Sequence, residues 1–164
     1  VVYAHRDSAD GERLAIAVKE AFARANVTVE LRPVPEEQFP AAIARRTNQY
    51  DLYLCEYTPD YLDASAMLEP LYSSRGIRDA GSTNLSYLNE PSVDAELDRI
   101  RQLPDRRDAA TAYAALARKL ATAYTPAIPF YDPRRLTLHG SDVRGTFVST
   151  LWAVPDLGRA WVGG

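Results

Sequence analysis

The chain has 164 residues, of which 46% are hydrophobic and 25% charged, with a formal net charge of -3. That length fits one domain that buries roughly 70% of its unfolded surface, and the acidic balance excludes a general attraction to nucleic acid or anionic lipid. No stretch approaches the roughly 20 apolar residues of a membrane-spanning helix.

Residues 1–5 read as a short buried strand already under way, as expected for a piece of a longer protein. Asp7, Ser8 and Asp10 are N-cap candidates for the helix that follows. Its apolar face is expected at Leu14, Ala17, Val18, Ala21, Phe22 and Ala25, with Asn26 as the stop. Val27, Val29 and Leu31 alternate with polar residues, which predicts a half-exposed strand broken at Pro33 and Pro35. A second helix is expected from Glu36 through Phe39, Ile43 and Arg46, and a third strand over residues 51–57. The order β-α-β-α-β with short connections predicts an α/β fold with a mainly parallel sheet flanked by helices.

The third strand runs straight into Tyr57-Thr58-Pro59-Asp60-Tyr61, where aromatic rings and a carboxylate crowd one turn. Ligands of open α/β sheets bind beyond the carboxyl ends of the strands. This turn is therefore the candidate binding site, with Tyr57, Asp60 and Tyr61 as its ligand-binding residues. Asp63 is better placed as the N-cap of a short helix over residues 64–72. Glu56 is expected to be a solvated surface carboxylate.

Residues 73–90 are rich in Ser, Gly and Asn and read as a long surface loop, in which Tyr87 and Asn89 serve folding. Ser92 is expected to cap a helix carrying Leu97 and Ile100. Pro104-Asp105 opens what is expected to be the longest helix, with Ala109, Ala112, Tyr113, Leu116, Leu120 and Ala123 on its apolar face. Arg106 and Arg107 there are expected in surface ion pairs. Short strands are expected over residues 127–131 and around Leu136 and Leu138. The tail holds Val143-Arg144-Gly145, Trp152 and Trp161 with weak periodicity.

Cys55, the sole cysteine, permits no internal disulfide and is expected to be a buried, inert thiol. With only His5 and His139 beside it, no structural metal set is expected. Arginine supplies 17 of the 19 basic residues, a bias that fits the coding composition of a GC-rich genome rather than phosphate binding. Glu56, Asp60 and Asp63 together could suggest paired acid/base chemistry, but carboxylates this close at a turn read as caps and solvated charges. No glycine-rich phosphate loop, Gly-x-Ser-x-Gly elbow or His-rich metal motif is present. The chain is read as a non-enzyme with no cofactor.

The block order carries a resemblance. Tyr50-Asp51-Leu52 enters the third strand and is followed by the Asp60-Tyr61 turn. Then come Tyr87-Leu88-Asn89, Val93-Asp94 with Leu97, Asp105-Arg106-Arg107, Tyr113, Leu120, Ala127-Ile128-Pro129-Phe130-Tyr131 and Val143-Arg144-Gly145. Over residues 9–146 this resembles the carboxyl-terminal lobe of the family 5 extracellular solute-binding proteins, the dipeptide, oligopeptide and nickel receptors of ABC importers. The resemblance implies a type II periplasmic-binding-protein-like lobe spanning residues 1–164, with its amino-terminal lobe outside this chain. It implies a small polar solute, above all a short peptide, bound between lobes and delivered to a membrane ABC permease. It further implies an extracytoplasmic protein held at the membrane by an amino-terminal lipid attachment. At Asp60 it implies a partner for the ligand's α-ammonium. Glu56-Tyr57-Thr58-Pro59 departs from the family's usual Gly-Trp before that aspartate. This departure favours an alternative: a cell-envelope regulatory or protein-interaction module that keeps the solute-binding fold.

Overall fold

The computed structural model describes residues 1–130, 136–149 and 154–163. Its centre is a three-stranded parallel sheet of β1 (Val2–Arg6), β2 (Glu30–Val34) and β3 (Leu52–Tyr53), in the order β2-β1-β3. Helix α1 (Ala9–Arg24) links β1 to β2, and α2 (Phe39–Ile43) links β2 to β3. The expected α/β fold is thus observed.

The two faces of β1 organise the core, because successive strand residues point to opposite sides. Tyr3 packs with Ala15 of α1 and with Val29. Ala4 packs on the other side with Val34, Phe39 and Ile43. Helix α1 starts where Ser8 accepts a hydrogen bond from the Gly11 N–H at 3.2 Å. Glycine is required at position 11, since a Cβ there would lie 2.2 Å from the Arg6 carbonyl oxygen. The helix ends as expected at Asn26, whose φ is 59°. Asn26 N–H reaches Ala23 O and Val27 N–H reaches Phe22 O, a Schellman closure.

Three corrections concern this half. Ala15 is the fully buried residue of α1, while Ala17, Ala21 and Ala25 are exposed. The packed stripe is Ala15, Val18 and Phe22. Pro33 does not break the second strand but lies inside β2, paired with His5. β2 neighbours only β1, and an edge strand tolerates a residue without N–H. The third strand stops at Tyr53 instead of reaching Tyr57, because its pairing with β1 ends at Ala4↔Tyr53.

After β3 the chain forms α3 (Ser65–Tyr72), α4 (Pro91–Arg101) and α5 (Arg106–Lys119). Val93, Leu97 and Ile100 of α4 meet Tyr113 and Leu116 of α5, together with Leu120, in a separate core. Pro91 occupies the first turn of α4, where its missing N–H costs nothing. Ser92 is therefore not the cap; its hydroxyl lies 3.0 Å from that of Tyr124. Asp105 does cap α5, accepting from the Arg107 and Asp108 N–H groups. At 14 residues α5 is shorter than the 16 of α1, although a π-helical turn over Leu120–Tyr124 extends it.

The stretch 73–90 is less superficial than expected: Ser73, Ser82 and Asn84 are buried. Residues 127–130 form no strand, and Leu136 and Leu138 are each 84% exposed. Tyr131 and Trp152 lie outside the described residues. Farther on, β4 (Val143–Arg144) and β5 (Trp161–Val162) pair antiparallel. No helix among the described residues is long and apolar enough to cross a membrane.

Candidate functional site

The strand order decides where a crevice opens. From β1 the chain steps to β2 on one side, then crosses back to place β3 on the other. That reversal is a topological switch point, and the crevice at the carboxyl ends of β1 and β3 is where such sheets bind ligands. Arg6 ends β1 and lies close enough to act electrostatically on Cys55, just beyond β3. Tyr57, Asp60 and Tyr61 follow within eight residues of the end of β3. The sequence-predicted turn therefore follows the strand end that borders the crevice.

Its three candidate residues are held differently. The Tyr57 hydroxyl donates to the Ala66 carbonyl in α3 at 3.0 Å, and its ring is half-buried. Burial raises the Tyr57 pKa, with further contributions from Asp60 and Tyr61, so the group stays a protonated donor at neutral pH. Tyr61 is 54% exposed, and its hydroxyl lies 3.2 Å from Ser65 Oγ. Asp60 is exposed and makes no hydrogen bond or ion pair among the described residues. It is a carboxylate beside two tyrosines with its acceptor capacity unused.

Asp63 is committed elsewhere. It accepts from the Ser65 N–H at 2.9 Å and from the Ser65 hydroxyl at 2.7 Å, but the N-cap of α3 is Ala64, one residue later than expected. The backbone bond from Ser65, then its hydroxyl, hold the Asp63 carboxyl below the ordinary range. Arg106 adds a looser contact at 3.7 Å.

Cys55 corrects its expectation. It is exposed, not buried, because β3 ends two residues before it. Crowding by protein atoms still raises its pKa, with Arg6 opposing, so the thiol is not activated as a nucleophile. Among the described residues no group of three His, Cys, Asp or Glu side chains could hold a metal ion.

A groove of about 500 Å³ is lined by Tyr61, Leu62 and Asp63 of the turn together with residues of α3, α4 and α5. Its charges are already matched. Arg101 pairs with Glu69 at 2.8 Å, Glu69 also accepts from the Tyr113 hydroxyl at 3.2 Å, and Asp63 faces Arg106. Burial and then Glu69 push the Tyr113 pKa up to about 12. Neither Tyr57 nor Asp60 lines this groove.

Sequence reasoning missed two supports of the site. Pro70 lies inside α3, so the carbonyl four residues earlier, that of Ala66, lacks its helical donor. That is the carbonyl Tyr57 reaches. Asp94 of α4 accepts from the Ser73 hydroxyl at 2.8 Å, from the Ser74 N–H at 3.0 Å and from the Ser74 hydroxyl. Burial pulls Asp94 upward, but these hydrogen bonds outweigh it and its pKa lies below the ordinary value. The proline inside an apolar helical pattern was the available signal for the first; the second had none.

No protein-family model and no curated protein matches the sequence. Solved structures do. Superposition on "Clavulanic acid biosynthesis oligopeptide binding protein 2" gives a TM-score of 0.91 at 19% identity, over 100% of this chain and 30% of that one. This chain has the fold of one part of a peptide-binding protein. HbpA2 from Haemophilus parasuis aligns with a TM-score of 0.75 at 16% identity, over 99% of this chain and 32% of that one. The oligopeptide-binding protein AppA from Bacillus subtilis, solved with a nonapeptide, gives 0.71 at 13% identity, over 99% and 31%. The chain thus spans about a third of the length of these structures.

Proposed function

We propose that residues 1–164 form a single lobe, the carboxyl-terminal one, of a solute-binding receptor of the family 5 type serving an ABC importer. In this reading it supplies one wall of a cleft that takes a short peptide, and a second lobe outside this chain supplies the other. Asp60 receives the ligand's ammonium group, and the rings of Tyr57 and Tyr61 bound the pocket. A charge-assisted hydrogen bond in a closed, water-poor cleft makes one carboxylate an effective anchor. No bond is made or broken; closure on the ligand selects the form that docks on the permease. The receptor acts outside the cytoplasm, held by a lipid attachment on its amino-terminal part.

The observation that carries this reading is Asp60, an exposed carboxylate with no hydrogen bond or ion pair among the described residues, in the turn that follows β3. The solved peptide-binding proteins of the same fold add support. Mass spectrometry of the intact receptor as purified provides the test. Retained short peptides, lost in Asp60→Ala, are the expected result. A cleft that stays empty in the wild type contradicts it and favours the protein-interaction module, for which the altered Glu56-Tyr57-Thr58-Pro59 stretch is the supporting feature.

A further inference from the structure

We infer that Tyr57 is a positioning residue that fixes the turn bearing Asp60, by docking on a carbonyl that Pro70 leaves open in α3. The inference rests on the proposed role of Asp60 and adds how that carboxylate is held in place.

A proline in a helix removes the hydrogen bond to the carbonyl four residues before it. In α3 that carbonyl belongs to Ala66, which is 5% exposed and thus shielded from water. A buried carbonyl without a donor is costly, and native structures supply one. Here the donor is the Tyr57 hydroxyl, nine residues earlier in the chain. The bond closes a loop whose ends are Tyr57 and Ala66 and whose exposed tip carries Asp60.

Few backbone hydrogen bonds restrain that tip among the described residues. Among the described residues, the first backbone–backbone hydrogen bond donated within the loop runs from Asp63 N–H to Tyr61 O at 2.9 Å. Ser65 and Asp63 then order the carboxyl-terminal side through their own contacts. The amino-terminal side, from Tyr57 to Asp60, is held by the Tyr57 hydroxyl. With an ordinary residue at 70 the Ala66 carbonyl would already hold a backbone donor and would no longer depend on Tyr57. Pro70 and Tyr57 therefore act as one device: a gap in a helix and the side chain that plugs it. A tyrosine hydroxyl is protonated across the physiological pH range, so the plug persists there.

Stability and positioning can be separated. Tyr57→Phe removes the plug and leaves the buried carbonyl bare. Adding Pro70→Ala supplies a backbone N–H to that carbonyl, which restores stability without retying the turn. The test is hydrogen exchange on the intact, ligand-free receptor, with melting temperature measured in parallel. In Tyr57→Phe, the Asp63 amide, which donates to Tyr61 O within the turn, is expected to exchange about tenfold faster, with a lowered melting temperature. In the double variant the melting temperature recovers while exchange in the turn stays fast. Unchanged exchange in Tyr57→Phe, or slow exchange regained in the double variant, overturns the inference. A pool of mixed tripeptides, scored by retention on each receptor, supplies the second readout. Both variants lacking the Tyr57 hydroxyl should retain less than wild type; full retention by the double variant reduces Tyr57 to a structural donor and also overturns it. Failure of the Asp60 reading looks different: Asp60→Asn then retains the same peptides as wild type, while the exchange rates still decide the role of Tyr57.

Discussion

Two irregular stretches flank α3, and they use their polar groups in opposite ways. The stretch from Ser73 to Glu90 turns Ser73, Ser82 and Asn84 inward. Asn84 is fully buried, donates to the carbonyls of Ser73 at 3.1 Å and Leu88 at 2.9 Å, and accepts from the Ser86 hydroxyl. Tyr87 donates to the Ile43 carbonyl at 2.9 Å and Ser82 bonds with Arg78. The turn from Cys55 to Asp63 also uses side chains to hold itself, through Tyr57, Tyr61 and Asp63. Yet it leaves Asp60 at its exposed tip with no protein partner among the described residues. The 73–90 stretch thus closes on its buried polar groups, whereas an open carboxylate at position 60 is what the proposed ligand role requires.

The comparison can be broken by substitution, starting where the effect should be greatest. Asn84→Ala strips donors from two carbonyls in a buried position and should destabilise the fold by about 2–3 kcal/mol, measured by urea unfolding. A loss under about 0.5 kcal/mol would mean that the 73–90 stretch does not depend on its inward polar groups. Gly76→Ala comes next. A Cβ there would lie 2.6 Å from Thr83 Oγ1 and 2.9 Å from the Pro70 carbonyl oxygen, and one of these is backbone. The expected cost is about 1–3 kcal/mol, with the unfolding midpoint shifted down.

Acid should act on the same side of the comparison. Asp94 has a native pKa below its ordinary 3.8. A depressed carboxylate binds its proton more weakly in the folded state, so its stabilisation is present above 3.8 and fades as pH falls through the native value. Loosening of the Ser73–Ser74 contacts with α4 is expected only below about pH 4, detectable as faster exchange of the Ser74 amide. Loss of that protection already at pH 5–6 would contradict the assignment. Asp60→Asn should change stability least, by less than about 0.5 kcal/mol, since no contact of the fold is removed.

How much of this was legible in the sequence follows from which interactions are local. Ser8 and Asn26 bound α1 by contacts within a few residues; residue type alone pointed to Asn26 as the stop and to Ser8 as one of three N-cap candidates. The β-α-β-α-β order came from periodicity, and with it the position of the turn at the carboxyl end of β3. The length of β3 was not legible, because β-favouring residues continue through Tyr57 while the pairing partner ends at Ala4. That same misjudged end placed Cys55 inside when it lies outside. The apolar residues Ile128, Leu136 and Leu138 suggested strands, yet they are exposed, and apolarity alone does not make a strand. Within the site, Tyr57, Asp60 and Tyr61 were picked out by residue type and topology, whereas the Tyr57–Ala66–Pro70 link spans distant positions and needs the helix in hand to be seen.

The central claim is that Asp60 is left open for a ligand. It is tested most directly by titrating the intact receptor, freed of bound solute, with the peptides recovered from it, for wild type and Asp60→Asn at equal stability. The account predicts at least about tenfold weaker binding in the variant, the scale of one charge-assisted hydrogen bond. Equal affinities would contradict it.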